Sequence, residues 1–249
     1  MNAAENVVTF VRPAPRPPAR PAPSDRARAE RVSLVVHDFR QPLNVIQLSA
    51  TALLAHAASD GKVPVELERI RRAVTTLARM TDDLLDVSAF EARGLTLERV
   101  PVRIAALTTE AIACVPGLAA RCEIRVSRDV DVVVFADPAR IVQVLANLLA
   151  NAAKYGDSCA PIEVDVTRRQ CDACVAVSNR GPGIPASELP YVFERFYRGA
   201  GARVERPGLG LGLTIAKAII EAHSGRIWAE SFPGDVTRCA FTLPLGAVR

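Results

Sequence analysis

Residues 37–46 read HDFRQPLNVI, a histidine followed at once by an acid inside an apolar helical pattern. Imidazole titrates near neutrality and offers an unprotonated ring nitrogen as nucleophile, and Asp38 is suited to hold the other nitrogen's proton as its base. Gln41 lies one turn after His37 on the same face, where its amide can orient a water. Pro42 has no N–H to give the carbonyl of Asp38, so the helix is expected to bend or loosen beside the histidine and expose it. Taken alone, a surface histidine next to an aspartate also describes an ordinary solvated helix face.

A second group of candidates lies in PARIVQVLANLLANAAKYG, residues 138–156. Val144, Leu145, Leu148, Leu149 and Ala152 make one side apolar, while Gln143, Asn147, Asn151 and Lys154 fall at i, i+4, i+8 and i+11 on the other. Two asparagines a turn apart offer neutral oxygens to a hard cation, and a lysine one turn further can meet a phosphate. An exposed face usually carries Glu, Arg and Lys, whereas Asn is a mediocre helix former, so the repeated amides call for a reason. Two glycine clusters follow. In NRGPGIP, Gly181 and Gly183 allow close backbone approach to a flat ligand; in GLGLGL, Gly208, Gly210 and Gly212 precede a helix whose free N–H groups favour phosphate oxygens. Between them, YVFERFYRG places Phe196 to cover a base and Arg195 or Arg198 to reach a terminal phosphate.

The elements that must position these residues follow from periodicity. Residues 1–24 are rich in Pro, Arg and Ala and are expected to stay extended and solvated. Val32, Val36, Phe39, Leu43, Ile46, Ala50 and Leu53 then recur at alternating spacings of four and three, a heptad seam. His37 sits next to that stripe and points off it. After ASDGKVP a second helical pattern carries Leu67, Ile70, Val74, Leu77 and Leu84, so residues 25–92 are expected to form an antiparallel hairpin. Seams this narrow predict pairing with a second copy into a four-helix bundle; a monomeric hairpin packed on the following domain is the alternative. SAFEARGLTLERV is expected to act as a hinge.

Residues 93–249 alternate short strands and helices: LTLERV, a helix from near Val102, CEIRVS, VDVVVFA, a helix capped by Asp137 before Pro138, IEVDVTRR, CVAVSN, GLTIAKAIIEAH, GRIWAES and TRCAFTLPL. The pattern predicts an α/β sandwich, one sheet covered by helices, so the whole is α+β.

An apolar fraction of 49% supports a packed core. Of the net charge of +4, residues 1–31 contribute six arginines against three acids, leaving the rest almost neutral. That distribution argues against a folded basic face for nucleic acid, although the arm could touch an acidic surface weakly. No run reaches the roughly 18 apolar residues of a membrane helix, and a cytoplasmic protein is expected. Cys114, Cys122, Cys159 and Cys239 lie singly, which suits a reducing compartment. CDAC, Cys171 to Cys174, lacks the second pair or histidines that would complete a zinc site, and reads as a turn entering a strand.

In order, HDFRQPL, NLLANAAKY, NRGPGIP, FERFYRG and GLGLGL resemble the five conserved segments of the sensor histidine kinases of two-component signalling. The resemblance covers roughly residues 28–245. It implies a dimerising histidine-phosphotransfer hairpin followed by an ATP-binding domain of the Bergerat type shared with gyrase, Hsp90 and MutL. The implied catalytic segment holds His37 as phosphoacceptor, Asp38 as base, Arg40 and Gln41. Asn151 with Asn147 would take Mg2+, and Lys154 and Tyr155 would contact phosphate or ribose. Gly181, Gly183 and Ile184 would line the adenine pocket with Asn179, and Thr242 would add a contact on that side. The final glycine segment, with Gly208, Gly210, Leu211 and Gly212, would hold the phosphates of ATP.

The implied activity is ATP-dependent phosphorylation of His37 in a homodimer, then transfer to an aspartate of a response regulator's receiver domain. The alternative is a degenerate kinase, kept as a dimeric docking scaffold or phosphotransfer relay. A separate sensory protein, or a sensory domain outside this chain, would supply the stimulus. Two residues depart from the family's pattern. Asn179 stands where Asp most often accepts the adenine amino group, and Gln41 stands where Thr or Asn is common at the position linked to dephosphorylating the partner, which leaves phosphatase activity open.

Overall fold

A computed structural model describes residues 39–53, 63–93, 95–115, 117–118, 122–127, 132–199, 208–232 and 234–245. His37, Asp38 and the arm 1–24 lie outside the described residues, whereas residues 39–42, up to the Pro42 expected to loosen the helix, are helical.

Residues 39–53 form helix α1 and Val63–Arg93 form helix α2. On α2 the buried apolar line is Ala73, Met80 and Val87, one heptad apart, whereas Leu67 and Val74 of the expected seam are each 52% exposed. The sequence period fits both lines. The packing separates them, because Met80 and Val87 join the main core while Leu67, Val74 and, on α1, Leu43 remain facing outward.

Strand β1 (Val100–Arg103) leads into helix α3 (Ile104–Cys114). Strands β2 (Ile124–Val126) and β3 (Val133–Ala136) precede helix α4 (Pro138–Tyr155). Then come β4 (Ile162–Arg168), β5 (Asp172–Arg180), a single 3-10 turn at Leu189–Tyr191, helix α5 (Gly212–Ala222), β6 (Ile227–Ser231) and β7 (Val236–Pro244). The expected single sheet is in fact two. One has five strands in the order β2-β4-β5-β7-β6, with β2 and β4 parallel and the other pairs antiparallel; the other is the antiparallel pair β1-β3.

The first strand is also displaced from LTLERV. Residues 95–99 are irregular, and Val102, expected to open a helix, pairs with Val134. Glu98 and Arg99 are engaged elsewhere: the Glu98 N–H donates to Asp137 Oδ2 at 3.1 Å, and Arg99 Nη2 donates to the Ala222 carbonyl at 2.6 Å.

Alternation decides which face of the large sheet is covered. Ile162, Val164 and Val166 of β4 are buried, while Glu163, Asp165 and Thr167 between them are exposed. Through the register the covered face continues with Val175 and Val177 of β5 and with Cys239 and Phe241 of β7. Helix α4 contacts both α3 and α5 and lies over this face. Its Ile141, Leu145, Leu148 and Leu149 are each no more than 1% exposed, as are Ile215, Ile219 and Ile220 of α5. Fully burying one such side chain stabilises by about 1.5–3 kcal/mol, so the two helices that carry the candidate residues are among the most firmly held parts of the fold. All six cysteines are free, and Cys171 is exposed in the turn while Cys174 is buried in β5. None of the helices among the described residues is long and apolar enough to cross a membrane.

Candidate functional site

Helix α4 starts where its sequence directs. Asp137 has extended backbone (φ −79°, ψ 112°), its carboxylate accepts from the Arg140 N–H at 3.2 Å, and Pro138 fills the first helical position. The Asp137 N–H in turn donates to Nε2 of His223 at 3.0 Å, and the other ring nitrogen, Nδ1, meets the Ile219 carbonyl at 2.8 Å. Only the neutral ring protonated on Nδ1 satisfies both partners. Burial holds the His223 pKa below its ordinary value, helped by Arg99 and opposed by the Ile219 bond and by Asp137. This buried histidine therefore ties the start of α4 to the end of α5.

One turn into α4, Gln143 leaves the expected ligand row: its Nε2 donates to Asp86 of α2 at 2.6 Å. Asn147, a turn further on, donates through Nδ2 to the carbonyl of Gly212, the first residue of α5, at 3.1 Å. Its Oδ1 is not used in that bond. Asn151 is half-buried, and its side chain has no hydrogen-bond partner among the described residues. Lys154 ends the row, with Nζ 5.1 Å from the centroid of the Tyr155 ring and close to Gly208.

Within the glycine segment 208–212, Gly210 leaves no room for a side chain, Gly208 has a backbone (φ +152°) that favours glycine, and Gly212 would make only ordinary contact. A Cβ on Gly208 would stand 3.2 Å from Lys154 Nζ, and one on Gly212 would stand 3.5 Å from the Asn147 carboxamide. Gly210 has φ +69°, and a Cβ there would come within 2.7 Å of the Tyr197 carbonyl. Leu211 is buried at the N-cap of α5, a helix of 11 residues with no side-chain cap and no acid in its first turn. That end keeps backbone donors and positive dipole for an anion. The fit to a triphosphate is chemical as well as steric: bare backbone, an ammonium group and neutral amides meet at one place. For a divalent ion, the Asn147 and Asn151 oxygens are suitable hard ligands but too few by themselves, and the described residues contain no group of three or more His, Cys, Asp or Glu side chains able to hold a metal.

A second part of the site lies where α4 ends against the tip of β5. Asn179 Nδ2 donates weakly to the Arg180 carbonyl at 3.3 Å. A Cβ on Gly156 would meet that same nitrogen at 3.2 Å, and one on Gly181 would stand 2.8 Å from the Tyr155 carbonyl. Gly183 follows with φ +79°, and the Ile184 N–H donates to Ser231 Oγ at 2.8 Å. Since Tyr155 directly follows Lys154, this corner adjoins the glycine segment. A cleft of about 460 Å³, lined by Asp157, Arg180, Gly181, Pro182, Gly234 and Asp235, touches the corner through Arg180 and Gly181 and includes none of the α4 row.

Thr242 does not belong to this corner. Asn179 pairs with Thr237, whereas Thr242 pairs with Cys174 five positions along. Five positions are an odd number, so Thr242 faces the opposite side of the sheet, about 17 Å away along the strand. Its hydroxyl instead accepts from the Arg226 N–H at 3.1 Å. Sequence reasoning missed Thr237 and Ser231. Their hydroxyls lie 2.8 Å apart, and with Asn179 they form a row across β5, β7 and β6 on the covered face. Counting strand register back from TLPL, the one available signal, leads to Thr237.

In the intervening loop, Arg195, Phe196 and Arg198 are half-buried. Phe196, expected to cover a base, packs its side chain against the core. Its backbone is left-handed at φ 58°, which costs a non-glycine residue roughly 1–2 kcal/mol. The Phe196 N–H donates to the Gly210 carbonyl at 3.1 Å, and that bond pins the loop to the glycine segment. Arg40 and Gln41 are exposed on α1 and Pro42 is buried.

Two family models match the chain. Residues 27–93 match "His Kinase A (phospho-acceptor) domain", and residues 136–247 match "Histidine kinase-, DNA gyrase B-, and HSP90-like ATPase". The chain is similar to the sensor histidine kinase WalK of Bacillus subtilis, 34% identical over 227 residues, which cover 88% of this chain and 37% of WalK. It therefore spans little more than a third of that relative's length. Among solved structures it resembles the Acinetobacter baumannii histidine kinase AdeS, with TM-score 0.65 and 20% identity over 84% of this chain and 98% of that one. It also resembles the histidine kinase ThkA in its complex with the response regulator protein TrrA, with TM-score 0.62 and 24% identity over 89% of this chain and 65% of that one. These two likenesses concern the fold.

Proposed function

The chain belongs to the two-component sensor histidine kinases, and from that premise we propose that it is an ATP-dependent kinase that phosphorylates its own His37. The observation that carries the proposal is the meeting of α4 with the glycine segment, through the bond from Asn147 to the Gly212 carbonyl and the approach of Lys154 to Gly208. The α5 N-terminus and Lys154 bind the triphosphate, and the glycines let its oxygens approach the backbone. Asn151 and Asn147, through their side-chain oxygens, are the residues that would hold Mg2+. When bound, that ion neutralises charge on the transferred group. Asn179, Gly181 and the Ser231–Thr237 pair form the end that receives the base. Asp38 takes the proton from one ring nitrogen of His37 and keeps the other nitrogen free for attack.

The phosphoryl group is then passed to an aspartate on a response regulator's receiver domain. Support comes from ThkA, a histidine kinase of this fold that was solved in complex with the response regulator protein TrrA. The working form is a homodimer made through α1 and α2. Leu43, Leu67 and Val74, which lie on the two predicted seams, are 51%, 52% and 52% exposed in the single chain, enough apolar surface to drive pairing.

Incubation with γ-labelled ATP and magnesium tests the proposal. The wild type should take up label that acid removes and alkali spares, and His37→Ala should take up none. Label that persists in His37→Ala, or its absence from the wild type, contradicts it.

A further inference from the structure

Helix α2 and the first two turns of α4 are joined by polar contacts that the proposed reaction does not use. The Asp86 carboxylate accepts through both oxygens, from Arg140 Nη1 at 3.0 Å and from Gln143 Nε2 at 2.6 Å. Arg140 Nη1 also donates to Gln143 Oε1 at 3.0 Å, so the three side chains close a ring. One turn beyond Asp86, the Phe90 ring lies under the guanidinium, 5.6 Å from its carbon to the ring centroid. The Arg140 and Asp86 side chains are 31% and 19% exposed. Such a pair is strong enough to bias a position and wet enough to open. The segment that follows α2 is fastened at the same corner, Glu98 to the α4 cap and Arg99 to the end of α5. Gln143 is also the first member of the face that continues with Asn147 and Asn151.

We propose that Asp86, Arg140 and Gln143 are a latch that fixes the nucleotide-binding part of the chain against the hairpin and opens when that part moves toward and away from His37. The inference rests on the kinase reading above, because transfer and release require two positions of the site relative to one histidine. A tie that stabilises one position slows every exchange between them. Arg140 and Gln143 are thus positioning residues, acting through the attitude of α4 rather than on the nucleotide.

The test uses the full 249-residue chain as wild type, Asp86→Ala, Arg140→Ala, and the exchanged pair Asp86→Arg with Arg140→Asp. The Gln143 amide can turn over to serve either polarity. In both single variants, hydrogen exchange at Leu95 to Arg99 should quicken by about five-fold, the scale of one partly buried ion pair, and the exchanged pair should restore it. Autophosphorylation should rise by a similar factor in the single variants with ATP affinity unchanged, and fall back in the exchanged pair. Unaltered exchange in the single variants overturns the latch, as does an exchanged pair no better than either single change, or a kinase rate that drops while exchange quickens. Hydrogen exchange needs no ATP. Failure of every protein to take up label therefore sinks the kinase reading while the latch is still judged by exchange.

Discussion

At the scale of single residues, Asn179 puts an amide at the end of the proposed site that receives the base, where the resemblance leads one to expect a carboxylate. A carboxylate would accept from a base amino group with charge assistance, whereas an amide accepts without it and can also turn its nitrogen outward. That nitrogen makes only a 3.3 Å contact with the Arg180 carbonyl, between Gly156 and Gly181, so little holds it in one orientation. Asn179→Asp should tighten ATP binding by about five-fold, the value of roughly 1 kcal/mol for the added charge, and weaken GTP binding. Titration of both nucleotides into both proteins checks this, and equal affinities would refute it. Gly181 was legible as part of the glycine cluster NRGPGIP, and Asn179 only through the resemblance to the family's segment. Thr237 was not, because two threonines occupy β7 and only the strand register tells which one faces Asn179.

At the scale of elements, α4 is the member most fully written in the sequence. Its cap, its proline and its two-sided period all appear where the chain folds them. The bond that joins it to α5 was not visible, since His223 looks like any histidine after a helix until its two ring nitrogens find Ile219 and Asp137. That bond gives a pH signature. The folded ring titrates below its ordinary value of 6.5, so the unfolded chain takes the proton first as pH falls. The contribution is whole above pH 6.5 and declines below it, by up to about 1.4 kcal/mol per unit until the folded ring also protonates. Asp83 acts in the opposite sense: burial pushes its carboxyl up to about 6, Arg79 opposes this, and Asp86 and Asp82 assist. The folded chain thus gains stability as pH falls from there toward 3.8. The difference between wild type and His223→Gln isolates the histidine. Denaturant midpoints should show that difference shrinking from about pH 8 to about pH 5, and a constant gap would contradict the role given to the ring.

At the scale of the whole molecule, apolar periods announced a hairpin and a helix-covered sheet, but they could not say how the two meet. The heptad pattern on α2 fitted more than one line of residues, and only packing sends Met80 and Val87 inward while Leu67 and Val74 stay outside. The stretch read as a hinge is helical through Arg93 and then tied down at Glu98 and Arg99, because side chains distant in sequence reach it. What unites the molecule is the placement of the α4 face along the glycine segment, with one amide, Asn151, left without a protein partner among the described residues. The most direct measurement is a calorimetric titration of ATP with magnesium into wild type and Asn151→Ala, alongside their melting temperatures. The expected result is affinity at least about ten-fold weaker in the variant, the scale of losing a ligand to a phosphate-bound ion, with melting temperature unchanged. Equal affinity in the two proteins would contradict a nucleotide site on this face.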